Sequence, residues 1–158
     1  MTSTQANPII VRGLEPGTTK AISTFVCESG PDCIDFKKGA DFDHDLAQGP
    51  RPAFGRFKAA LPGSLRLVFM MDRSTLPDPV GTRQDDDITK DVQLLRKTAL
   101  DVDPRLRQPL VVRVAWGQYV WTGRVRDLQV QYVLFRPDGR PLRARVTLAM
   151  MAEEVIVT

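Results

Sequence analysis

The sequence is poor in the residues that build metal sites and nucleophilic catalysts. It has one histidine, His44, and only two cysteines, Cys27 and Cys33, in 158 residues. A set of two cysteines and one histidine lacks the fourth ligand and the usual spacing of a structural zinc site. The close cysteine pair permits a local bridge, which a reducing cytoplasm opposes. Without a catalytic triad pattern or a phosphate-binding glycine loop, the sequence predicts no enzyme activity and no cofactor.

Long hydrophobic runs are also missing. No segment approaches the roughly 20 apolar residues that span a membrane, and the N-terminus has no basic stretch followed by an apolar one. We therefore expect cytoplasmic synthesis and no membrane partner. A hydrophobic content of 42% and a charged content of 26% are typical of a folded globular chain. The length predicts a single domain over residues 1–158, in which residues 1–20, interrupted by prolines and glycines, form an arm or a weak edge strand.

Lysine and acidic residues are scarce in the C-terminal third. Residues 104–152 hold nine arginines, no lysine and two acidic residues. Arginine without lysine indicates fixed, bidentate partners, namely carboxylates of a neighbouring protein surface or phosphates of a nucleic acid. Both partners remain open at this point. The candidate interface residues are Arg124, Arg126, Arg136, Arg140, Arg143 and Arg145.

Two acidic clusters resemble metal sites only in part. Asp41, Asp43 and Asp45 alternate as in a calcium loop, but the glycine and glutamate that such a loop needs are Leu46 and Pro52 here. A solvated acidic segment is the better interpretation. The aspartate run 85–87 directly precedes a helical pattern, so we interpret it as a helix cap. The sequence therefore predicts no metal site.

The sequence has mostly β-strand periodicity. Apolar residues alternate with polar ones in residues 64–72, 110–116, 128–135 and 142–150, which predicts half-buried strands. Pro137, Asp138 and Gly139 form a strong turn signal between the last two runs. One segment has helical periodicity instead, with Ile88, Val92 and other apolar residues on one stripe of residues 88–100. The predicted fold is mainly β, with two packed antiparallel sheets and one flanking helix.

Aromatic residues make up 7% of the chain, and three of them are close together. Trp116, Tyr119 and Trp121 surround Gly117, which marks a tight turn. Such a group could stack nucleic-acid bases. The alternation around it favours packing in a core or an interface.

The C-terminal half resembles a known family. The segment W-G-x-Y-x-x-x-G is followed by Y-x-L-F-x-P-D-G-x-P-x-R-A, and together these resemble the N-terminal domain family of contractile injection system tube proteins, the tube-to-spike adaptors of antifeeding-prophage-like particles. The match covers roughly residues 61–152. The motif positions are Trp116, Gly117, Tyr119, Gly123, Tyr132, Leu134, Phe135, Pro137, Asp138, Gly139, Pro141, Arg143 and Ala144.

The resemblance implies a structural role without a reaction. It implies a tail-tube-like barrel or sandwich, a homo-oligomeric ring with six copies favoured, and a place between inner tube and spike in a baseplate. The implied partners are inner tube, tube-initiator and spike proteins and other baseplate subunits, in a particle assembled in the cytoplasm. Many family members also carry a LysM module, which this sequence lacks, so another subunit would supply it. The alternative function is a nucleic-acid-binding β-barrel that uses the basic hairpin.

The alternation also predicts where the arginines point. In residues 142–148 the apolar side chains take one face, so Arg143 and Arg145 take the other. We expect them to face a neighbouring subunit or a channel. The acidic clusters described above are their expected partners.

Overall fold

The computed structural model describes residues 7–43, 55–74 and 87–157. Eleven strands and one helix occupy these ranges, in an order that agrees with the predicted mainly β fold. They are β1 (Ile9–Leu14), β2 (Ala21–Cys27), β3 (Pro31–Lys37), β4 (Ala40–Asp43), β5 (Arg56–Ala60), β6 (Gly63–Asp72), α1 (Thr89–Leu100), β7 (Val102–Asp103), β8 (Gln108–Pro109), β9 (Val112–Trp116), β10 (Tyr119–Phe135) and β11 (Pro141–Ile156).

Seven strands form one large sheet in the order β2-β1-β9-β10-β11-β6-β3, and every pairing in it is antiparallel. Two small antiparallel ribbons, β4-β5 and β7-β8, complete the β-structure. The predicted fold class is thereby confirmed. In the described residues the large sheet remains open, with β2 and β3 at its ends, so one chain does not close a barrel.

The N-terminal segment is an inner strand where the sequence predicted an arm or a weak edge. β1 lies between β2 and β9, and its residues Ile9 and Val11 are fully buried. The local sequence pattern could not predict this pairing, because β9, the second partner of β1, lies about a hundred residues further along the chain. Residues 1–6 lie outside the described part.

The helix covers the core face of the sheet. α1 contacts β1, β2 and β10, and Ile88, Val92, Leu95 and Ala99 have essentially no exposed surface. The predicted helical stripe is therefore the core face. The Asp87 carboxylate accepts a hydrogen bond from the Thr89 backbone N–H at 2.8 Å, which confirms its predicted place at the start of the helix. The rest of the aspartate run lies outside the described residues.

β10 and β11 are the longest elements, with 17 and 16 residues, and they join the two halves of the sheet. Trp121, Val146, Leu148 and Met150 on them are fully buried. A register shift between Val125 and Asp127 marks a β-bulge, where the antiparallel pair bends.

Candidate subunit interface

The far end of the β10-β11 hairpin extends beyond the rest of its sheet. β9 pairs with β10 only from Tyr119 to Gly123. From Arg124 to Phe135, the structure described here places no strand on that side of β10. The start of this stretch carries Arg124, Arg126, Asp127 and a bulge, whereas residues 128–135, called the free edge below, read LQVQYVLF and carry no charge. Charges, prolines and bulges usually protect edge strands, so the uncharged part of this edge is the part open to pairing with another strand.

Apolar side chains along the free edge are incompletely covered. Leu128 and Val130 pack only partly against the core, and Val133 and Phe135 are about half exposed. Tyr132 lies opposite the buried Ala144, yet it is 36% exposed because no described strand lies beside this part of β10.

The strands β10, β11, β6 and β3 are neighbours in the sheet, and the far edge of this group, on β3, is also free among the described residues. β3 pairs with β6 on one side and has no partner strand on the other among the described residues. Ile34 and Phe36 on β3 are half-buried and face the core, as Leu128 and Val130 do on β10. Their neighbours Cys33, Asp35 and Lys37 are exposed. The two edges therefore present matching rows of half-covered apolar side chains on the same face of one sheet.

The turn of the hairpin follows the sequence prediction. Gly139 has a φ of 93°, a conformation that glycine adopts without strain. The Gly139 N–H donates to the Arg136 carbonyl at 2.9 Å, and the Arg140 N–H donates to the Asp138 carboxylate at 3.1 Å. The motif Pro-Asp-Gly therefore fixes the register of the two long strands.

The six candidate arginines do not form one patch. Arg143 Nε binds Asp72 on β6 at 2.9 Å, Arg140 Nε lies 3.6 Å from Asp138, and Arg124 Nε donates to the Pro109 carbonyl at 3.0 Å. Three of the six arginines therefore have partners inside the chain. Arg126 and Arg145 are exposed, and Arg136 is half-buried.

Arg143 is thus already occupied by a residue that the sequence did not suggest. Strand register brings Arg143 opposite Asp72, and Ser74 binds the same carboxylate through its N–H and its hydroxyl. Burial alone would raise the pKa of Asp72, but the hydrogen bonds from Ser74 and Arg143 outweigh it, so the pKa is lowered. This contact was hidden in the sequence because 71 residues separate the partners.

Two other arginines, on the outer face of the sheet, were not singled out in the sequence. Arg12 of β1 lies directly opposite Arg113 of β9, and both side chains are half-buried. Neither forms an ion pair in the part of the chain that the structure describes, and Arg113 Nε is buried without an acceptor there. Only the alternation of two distant strands could have indicated this pair.

The aromatic motif is a packing element. The ring planes of Trp116, Tyr119 and Trp121 are nearly parallel, with centroids 6.2 and 5.8 Å apart. Trp121 is fully buried, and its Nε1 donates to Glu154 at 2.7 Å. Trp116 Nε1 donates to the Asn7 carbonyl at 3.1 Å. Gly117, with a φ of 58°, makes the tight turn that joins β9 to β10.

A cleft of about 510 Å³ lies where the end of β2 approaches β6 and the start of α1. Burial raises the pKa of the Cys27 thiol in its wall, and this thiol lies 3.6 Å from the Met70 carbonyl. Cys33 is exposed, and neither cysteine is bonded to the other. Arg73 holds Asp91 of α1 through two hydrogen bonds of 2.7 and 3.1 Å.

Acidic, histidine and cysteine side chains do not gather into a metal-binding group anywhere in residues 7–43, 55–74 and 87–157. Asp41 and Asp43 lie on β4, whereas His44 and Asp45 are outside the described residues. Among the described residues, no helix is both long enough and apolar enough to cross a membrane.

The chain is β-rich, and its large sheet has two edges without a partner strand among the described residues. The model of the contractile injection system tube protein family matches residues 9–155, nearly the whole sequence. The chain therefore belongs to the contractile injection system tube protein family. No curated protein matches it.

Proposed function

We propose that this protein forms a ring that joins the inner tube of a contractile injection particle to its spike. Neighbouring copies pair the free edge of β10, residues 128–135, with β3 of the next copy. The observation that carries the proposal is the match between these two edges, which lie at opposite sides of the same four strands.

The directions of the strands support this pairing. Across β10, β11, β6 and β3, each strand runs opposite to the one before it. An even number of alternating strands lets β3 of the next copy continue the antiparallel pattern beside β10. Because the two edges differ, the contact is head-to-tail, and such contacts close into rings when the rotation between copies allows it. Six copies are favoured by the family resemblance.

The resulting interface would cover surface that a single chain leaves open. Leu128 and Val130 of one copy would lie along the row of Ile34 and Phe36 of the next. Burial of such side chains contributes about 25 cal/mol for each Å² removed from water. New backbone hydrogen bonds would satisfy the unpaired groups of both edges. The subunit acts as a structural part and performs no reaction.

A single substitution tests the ring contact. Val130→Lys places a charge on the half-buried apolar row and should prevent rings without unfolding the chain. The matched control is Gln129→Lys, which adds the same charge one residue away on the other face. Electron microscopy and mass measurement in solution would count rings, with circular dichroism to check folding. Rings from Val130→Lys as abundant as those of the unchanged protein would refute the edge pairing.

The position at the end of the tube rests on the resemblance of residues 61–152 to the adaptor proteins. A tube-end adaptor occurs as one ring in each particle, whereas a tube subunit occurs as many stacked rings. Quantitative mass spectrometry of purified particles should therefore find only a few copies of this protein per particle. After assembly in the cytoplasm, the protein should be found in complexes with tube, tube-initiator, spike and other baseplate proteins. A copy number in the hundreds would place the protein in the body of the tube.

A further inference from the structure

The outer face of the sheet carries an arrangement that a free surface does not explain. One row across five strands contains Thr24, Arg12, Arg113, Thr122 and Glu153. Like charges directly opposite each other on a sheet are destabilising. Glu153, the only carboxylate in this row, binds Lys38 at 3.4 Å. The arginine pair, Arg12 and Arg113, therefore lacks a counter-ion among the described residues.

The neighbouring row on the same face is wholly apolar. It contains Val26, Ile10, Ala115, Val120 and Val155. Val26 is 50% exposed and Val155 is 56% exposed. An apolar stripe beside two half-buried arginines is complementary to a segment that presents a carboxylate and an apolar side chain on one face.

The chain itself contains such a segment. The β4-β5 ribbon pairs with no other sheet in the described structure, and every residue of β5 is exposed. Phe42 and Phe57 form an edge-to-face pair with centroids 5.9 Å apart, although they are 43% and 61% exposed. Asp41 precedes Phe42, and its only described ion pair is a long contact of 3.9 Å with Lys58.

We infer that the β4-β5 ribbon of one copy docks on the arginine pair and the apolar row of the next copy. Asp41 lies between the guanidinium groups of Arg12 and Arg113, and Ala59, its cross-strand partner on the same face of the ribbon, meets the apolar row. Phe42 and Phe57 lie on the other face of the ribbon. The geometry of this inference rests on the edge pairing proposed above, whereas the chemistry of the two surfaces does not depend on it.

The strand rows bring the two surfaces together in that pairing. Lys37, the last residue of β3, lies in the same cross-strand row as Ser64, Met151 and Arg124. When β3 of one copy runs along β10 of the next near this register, its end reaches Arg124. Beyond that point β9 occupies the edge of β10, so the chain that continues into β4 must leave the plane of the sheet.

Only one face can receive the ribbon there. α1 covers the core face by packing on β1, β2 and β10. β9 begins beside Gly123 of β10. The next row towards the start of β10 contains Thr122, and Arg113 and Arg12 lie in that row on the outer face. The ribbon therefore arrives beside Arg12 and Arg113, which form no ion pair with any described residue.

Charge reversal with mixing tests the contact. Arg113→Glu and Asp41→Arg should each weaken self-association by about tenfold or more, as measured by sedimentation velocity. An equimolar mixture of the two variants should restore it, because each ribbon then meets a face of opposite charge. Arg96→Glu changes an exposed arginine on α1, and as the matched control it should change nothing. Thermal unfolding of Arg113→Glu should show no loss of subunit stability, since the variant removes a like-charge contact.

The same variants on the Val130→Lys background separate this inference from the proposed ring. If self-association of the Val130→Lys protein still depends on the charges of Arg113 and Asp41, the docking is supported even when no ring forms. Rings that are blocked by Val130→Lys but unaffected by Arg113→Glu and Asp41→Arg would keep the proposed function and overturn the docking. Failure of the mixture to exceed either variant alone would also overturn it.

Discussion

The structure gives a physical reason for glycine at motif position 123, and the substitution Gly123→Ala tests that reason. A Cβ at this position would overlap the carbonyl oxygen of Met151 and come within 2.8 Å of the Ala152 Cα. These are backbone atoms of the paired strand β11, so they cannot move aside as a flexible side chain would. The strands approach each other closely here, next to the bulge at Val125.

The size of the effect follows from the atoms involved. Overpacking a well-filled site costs typically about 1–3 kcal/mol, and a clash with the backbone belongs at or above the upper end of that range. Alanine also removes backbone freedom from the unfolded chain, which offsets less than about 1 kcal/mol. We therefore expect Gly123→Ala to lower the free energy of unfolding by about 2–3 kcal/mol.

Urea denaturation followed by tryptophan fluorescence would measure this loss, since Trp121 is buried two residues away. Thr122→Ala is the matched control, because it changes the adjacent residue on the other face, and it should cost much less. A midpoint for Gly123→Ala equal to that of the unchanged protein would show that β10 and β11 are further apart than described.

Three further predictions concern stability. Leu95→Ala should lower the free energy of unfolding by about 2–5 kcal/mol, because Leu95 is fully buried under the sheet, and thermal unfolding equal to that of the unchanged protein would contradict this. Asp72→Asn should remove less than about 1 kcal/mol near neutral pH, since its pair with Arg143 is partly exposed, and denaturation with and without Arg143→Gln would measure the coupling. Because the pKa of Asp72 is lower in the folded state, its ionised carboxylate stabilises the fold at pH values above the ordinary carboxyl pKa of about 3.9. This stabilisation is lost as the pH falls through the lower pKa of the folded state. The free energy of unfolding of Asp72→Asn should therefore fall less at acid pH than that of the unchanged protein.

The sequence predicted the elements whose signals are local. The helical stripe of α1, the alternation of the C-terminal strands and the turn at Gly139 all depend on residues within about a dozen positions. The structure has each of them close to the expected place. Local periodicity is sufficient for these elements because each one buries a single stripe or face.

Contacts between distant strands could not be predicted in the same way. The pairing of β1 with β9 and the contact between Arg143 and Asp72 both depend on register between segments far apart in sequence. The arginine pair on the outer face was missed for the same reason, since Arg12 and Arg113 become neighbours only when the sheet forms. Composition drew attention to the arginines of the C-terminal third, whereas strand register shows which arginines lie opposite each other.

The central position of β11 has a consequence for the timing of folding. β11 is the last of the described strands, yet it lies between β10 and β6 and connects the two halves of the sheet. During synthesis from the N-terminus, β3 and β6 are made early but have no β11 to pair with. Pairing across such long separations is slow, because the loop-closure entropy is lost before the contacts form. A nascent chain thus cannot hold the edges of β10 and β3 on one sheet until β11 has been made.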